Sequence, residues 1–99
     1  MGTRVQPSSG NVFTDLGFPA EEAQNLKIRA DLMIELARLI EARGLTQAAA
    51  AKLLGVTQPR VSDLVRGRID RFSVDSLIEM LGHAGASVSF AVTVGRQVA

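Results

Sequence analysis

Gln58, Arg60, Ser62 and Asp63 crowd a short stretch that continues to Arg66, Arg68 and Arg71. Side chains of these types can read and grip a nucleic-acid duplex. A glutamine amide matches the donor–acceptor pair on an adenine edge, a guanidinium matches the two acceptors of guanine, and a carboxylate accepts from cytosine. Asp63 can equally orient Arg60, or be paired with Arg60 or Arg66. Pro59 offers shape and apolar contact, as with a thymine methyl. Gln58, Pro59, Arg60, Ser62 and Asp63 are therefore the candidate base contacts. Thr46, Gln47, Thr57, Arg66 and Arg68 are the candidate phosphate contacts, since phosphates are held by guanidinium, hydroxyl and amide donors and by helix N-termini. Arg71 stands beside Asp70, which can neutralise it.

Catalysis and metal binding have little to be built from. His83 is the one histidine and the chain has no cysteine. It reads as a loop or helix-end residue. Glu21, Glu22, Glu35 and Glu41 read as solvated helix charges, and the glycines stand at helix ends rather than in a phosphate-cradling run. The chain is not expected to be an enzyme, and neither a cofactor nor a metal is expected.

A chain of 99 residues makes one domain. The lack of cysteine rules out disulfides and suits a reducing compartment, so a cytoplasmic location is expected. Apolar runs are short and broken by charge, and no secretory leader or membrane span is expected. Eleven basic residues face ten acidic ones, a net charge of +1. Between Thr57 and Arg71 the local balance is four arginines against two aspartates. A broad basic field is missing, so DNA affinity must come from aimed contacts and from dimerisation.

The elements that would position these groups follow from periodicity and caps. Pro19 marks a helix start, with Glu21 and Glu22 where the dipole favours them. No proline or glycine interrupts Ala20 to Arg43, and Leu26, Met33, Leu36, Ala37 and Ile40 recur at helical spacing. A second line, Ile28, Leu32 and Leu39, serves either a broad core face or a partner surface. Gly44 stops this helix. Thr46 and Thr57 cap two short helices, the first stopped by Gly55, the second carrying Pro59 in its first turn and ending at Gly67. Ser73 caps a further helix with Leu77, Ile78 and Leu81 on one face, ended by Gly82 and Gly85. Ahead of all these, Phe13, Leu16 and Phe18 are expected to pack on the domain.

The tail changes period. In 87–94, Val88, Phe90, Val92 and Val94 alternate with small or polar residues, the pattern of a half-buried strand. Such a strand needs a partner: a short strand near Val12 and Phe13, its own copy in a second subunit, or another protein. Val88, Phe90, Val92 and Val94 are accordingly the candidate dimer or partner interface.

The two short helices meet the demands of a helix-turn-helix. Helices crossing around a tight turn need a small residue in the first and a glycine in the turn, and Ala51 and Gly55 supply them. Ala50, Leu54, Val56, Val61 and Leu64 fill the positions that must be buried. The second helix would lie in a major groove with its N-terminal residues at base edges.

Leu45-Thr46-Gln47, Gly55-Val56-Thr57-Gln58, Val61-Ser62-Asp63-Leu64 and Gly67 resemble the Cro and lambda-repressor (Xre) class of helix-turn-helix domains. The flanks add Ser9 to Phe13, Asp15-Leu16-Gly17, Arg68 to Ser73 and the final strand, which resemble HigA-like antitoxins and related transcriptional regulators. The resemblance implies an all-α, lambda-repressor-like domain of four to five helices with a short C-terminal β-strand, and a homodimer that represses its own operon. It also implies a RelE/HigB-like ribonuclease toxin as partner. By the same resemblance Gln47, Gln58, Pro59, Arg60 and Asp63 fall at DNA-contact positions, where Pro59 departs from the common polar residue. The expected division is a partly disordered extension over 1–19, the DNA-binding domain over 20–84, and the strand and tail over 85–99. Two readings stay open: an autorepressing operator-binding dimer, and an antitoxin that mainly masks a toxin.

Overall fold

The computed structural model describes residues 11–95, and the expectation of a loosely held start before residue 11 lies outside them. Five helices follow in order: α1 (Val12–Asp15), α2 (Ala20–Ala42), α3 (Gln47–Leu54), α4 (Gln58–Val65) and α5 (Val74–His83), with a 3-10 turn at Ile69–Arg71 before the last. Among the described residues there is no strand.

Local signals account for most of these boundaries. Pro19 is the N-cap of α2, and beyond its C-cap Gly44 takes φ +60° while Leu45 N–H donates back to Ile40 O at 3.0 Å. This αL glycine satisfies carbonyls the helix would leave open. Thr46 Oγ1 accepts from Ala49 N, Thr57 Oγ1 from Arg60 N, and Ser73 and Ser76 cap each other reciprocally. Each such cap is worth about 1 kcal/mol. At the end of α5 the sequence reading needs correction. Gly82 lies inside the helix, which runs to His83, and the stop comes at Gly85, with φ +84° and Ala86 N donating to Leu81 O.

The core forms where α2, α3, α4 and α5 converge. Leu36, Leu54, Val61 and Leu77 are fully buried, surrounded by Met33, Ile40, Ala50, Leu64, Phe72, Met80 and Leu81. Leu32 and Leu39 pack against this cluster, so most of the second line on α2 widens the core face. Ile28 stays outside it, as do Ile34 and Val65, whose exposure periodicity did not reveal.

Two further expectations are corrected. α1 forms where an N-terminal strand partner was considered, its N–H groups at Phe13 and Thr14 taken by the Asn11 side chain, which also donates to Ala23 O. Phe13 is half-buried and meets Phe18 edge-to-face at 6.1 Å, but Leu16 is 69% exposed and does not pack. The strand over 87–94 does not form within the chain either. Val88 packs on the core, whereas Phe90, Val92 and Val94 are 79–82% exposed. A ladder needs a second backbone, and among the described residues none is a strand.

Candidate nucleic-acid interface

The turn between α3 and α4 is built on Gly55. Its φ of +71° lies in the left-handed region, and Val56 N–H closes back on Ala51 O at 3.0 Å. A second constraint comes from α5: a Cβ at Gly55 would lie 3.2 Å from ring atoms of His83. The histidine at the end of α5 thus lies against the bare face of the turn, which links α5 to the α3–α4 pair. Gly55→Ala is expected to destabilise the domain by about 1–2 kcal/mol from the backbone alone. In a domain of this size that lowers the melting midpoint by roughly 4–16 °C, which a thermal melt followed by circular dichroism measures.

α4 buries Val61 and Leu64 and turns its other side outward. At 3.6 residues per turn, Pro59 and Arg66 lie along the line opposite those two residues, Ser62 and Asp63 lie about 50° to either side of it, and Gln58 sits at its edge, where the helix begins. Gln58 and Pro59 are exposed and Ser62 is half-buried. Thr46, Gln47 and Thr57 are exposed where α3 and α4 begin, and both threonine hydroxyls, while accepting cap bonds, keep a proton to donate. Arg66 and Arg68 are exposed just past the end of α4.

Arg60 is placed differently. It lies on the flank of α4 next to Leu64, and its guanidinium sits 4.2 Å over the Phe72 ring while Nη1 donates to Arg71 O at 2.6 Å. A cation–π contact of this kind contributes roughly 0.5–2 kcal/mol. Asp63 pairs with neither Arg60 nor Arg66. Its carboxylate, 20% exposed, faces Arg68 Nε at 3.8 Å and Arg71 Nη1 at 3.5 Å. Ion pairs this open contribute about 0–1 kcal/mol, so their role is orientation more than stability. Sequence reasoning missed Arg29 altogether. From α2 it donates to Ile69 O and Phe72 O, across a chain separation of 40 residues or more that no local pattern signals.

A family model described as a helix-turn-helix domain matches residues 12–93. A solved structure assigned to the XRE family of transcriptional regulators is 31% identical, with a TM-score of 0.70 over 79% of this chain and 91% of that one. The chain belongs to the XRE family of helix-turn-helix proteins. No curated protein matches it. In this helix-turn-helix protein the family match extends past α5 into the exposed tail. Among the described residues no helix is long and apolar enough to cross a membrane, and no cluster of potential metal ligands forms.

Proposed function

We propose that this XRE-family protein is a DNA-binding transcriptional regulator that grips an operator as a dimer and represses its own operon. The observation that carries the reading is the outward face of α4, where Pro59 and Ser62 are turned away from the buried Val61 and Leu64 and the exposed Gln58 opens the helix at the edge of that face. α4 enters the major groove, Gln58 and Ser62 meet base edges and Pro59 adds apolar contact. Thr46, Gln47, Thr57, Arg66 and Arg68 hold phosphates on either side. Asp63 orients the neighbouring arginines.

A titration of duplex DNA from upstream of the gene, read by fluorescence anisotropy at several salt concentrations, tests this. Binding tighter than to a scrambled duplex is expected, weakening steeply with salt. No preference for the upstream duplex at low salt would sink the repressor reading. Gln58→Ala is expected to weaken specific binding by about 1–3 kcal/mol and to relax the preference at one base pair. A uniform loss on all sequences would place Gln58 on a phosphate.

One recognition helix reads only a few base pairs, so the regulator needs two half-sites and two copies. The uncharged stretch 89–94, with Phe90, Val92 and Val94 exposed, suits that role. Antiparallel pairing of 88–94 with its copy, centred on Ala91, would set Phe90 opposite Val92, an aromatic–β-branched pair, with no charge to repel.

A second reading, that of an antitoxin masking a ribonuclease toxin, is favoured by apolar surface that DNA contact leaves unused. Phe13, Ile34, Val65 and Ile69 border an open groove of about 350 Å³ between α1, α2 and the end of α4. Co-expression with an adjacent small basic reading frame separates the two: a stable complex that suppresses growth arrest supports the antitoxin.

A further inference from the structure

The loop between α4 and α5 is held by two arginines from different helices. Arg29 Nη1, on α2, donates to Ile69 O at 3.0 Å and Phe72 O at 3.3 Å. Arg60 Nη1, on α4, donates to Arg71 O at 2.6 Å, with its guanidinium over the ring of the buried Phe72. Together they cover the carbonyls of Ile69, Arg71 and Phe72, leaving the loop little freedom. Asp63, one turn along α4 from Arg60, then takes the side chains of the same loop, Arg68 and Arg71, at 3.8 and 3.5 Å. Arg60 fixes the loop's backbone and Asp63 aims its guanidinium groups.

We propose that Arg60 is a positioning residue and not a base reader: it latches the loop so that Arg68 and Arg71 are presented beside the recognition helix to the DNA backbone. This rests on the DNA-binding reading above. To reach a base, Arg60 would have to abandon a charge-assisted hydrogen bond and a ring contact, and would start from the flank of α4 nearest the core. Groups already bonded within the protein gain less from a ligand than they lose on release, unless the new bonds are better. Arg68 and Arg71, about half exposed and held only by long contacts to Asp63, meet no such barrier. A phosphate can replace the carboxylate as their acceptor without moving the loop. Base readout is then left to Gln58 and Ser62, with Pro59.

The test measures Arg60→Ala, Arg60→Lys and an Arg68→Ala/Arg71→Ala double variant of the full chain. Each is titrated with the upstream duplex and a scrambled one across a salt series, and each is used to select from a duplex pool randomised at the site. The expected result for Arg60→Ala is an unchanged selected sequence with binding weakened by the same factor on both duplexes. Its salt slope should fall by roughly 0.9 for each phosphate no longer neutralised, toward the slope of the double variant. Arg60→Lys keeps a cation over Phe72 but lacks the fork, and should fall between wild type and alanine. If Arg60→Ala is unfolded at the assay temperature, the lysine variant carries the same comparison. A changed preference at one base pair with the slope intact overturns the proposal in favour of base reading. A lowered melting temperature with both slope and preference intact overturns it in favour of a purely structural role. A wild-type protein that binds neither duplex at low salt removes the DNA-binding reading, and the proposal with it.

Discussion

Truncating Leu54 to alanine is expected to remove about 2–5 kcal/mol of folding stability, as large-to-small changes at buried leucines do. Leu54 is completely buried and is the last residue of α3, immediately before the Gly55 turn. A cavity there cannot easily collapse. On one side Gly55 is held in its αL conformation with His83 against it, and around the cavity stand other core side chains from α2, α4 and α5. The described domain spans 85 residues, 11 to 95, so its total stability should be about 4–13 kcal/mol. The substitution therefore takes a large fraction of it. Urea denaturation followed by circular dichroism reads the effect as a lower midpoint with an unchanged slope. A loss under about 1 kcal/mol would mean that α3 repacks, and that the α3–α4 geometry is softer than the buried contacts imply.

The second large effect is expected at the tail. Phe90→Asp places a charge on each strand of the proposed pair, next to the two-fold axis, where the two carboxylates would also face each other's neighbours. Dimer formation should be lost, seen as a halved mass in light scattering. Operator affinity should fall by about 10²–10⁴, the usual gain from linking two binding events. The salt slope should drop to nearly half, because each complex then neutralises the phosphates of one half-site. The fold should hardly change, since Phe90 touches solvent in the isolated chain. An aspartate variant that stays dimeric, with affinity intact, would move the interface elsewhere; the groove beside Ile34 and Val65 is then the next surface to alter.

Much of this molecule was legible before its structure. The caps at Thr46, Thr57 and Ser73, the αL glycines at 44 and 55, and the buried Ala50, Leu54, Val61 and Leu64 are where local rules place them, with Val56 half-buried against that cluster. These features depend on a few neighbouring residues. A hydroxyl three residues before an open N–H, or a glycine after an apolar stripe, acts without knowledge of the rest of the chain. The tail shows the limit of the same reasoning. Alternation states which side of a strand is apolar, but a strand exists only when another backbone lies beside it. Leu16 and Ile34 show a related limit, because apolar character does not decide whether a neighbour arrives to cover the side chain.

The polar stretch from Gln58 to Arg71 divides along this line. Sequence by itself determined that a capped helix would begin at Gln58 and turn Ser62 and Asp63 away from Val61 and Leu64, because helical period settles direction. Only the tertiary structure decided the fate of the charges. Arg60 is drawn to Phe72 and to a carbonyl eleven residues on, Asp63 faces Arg68 and Arg71, and Arg29 reaches the same loop from α2. A long flexible side chain goes to whichever acceptor folding brings within reach, and that acceptor is placed by the packing of distant helices.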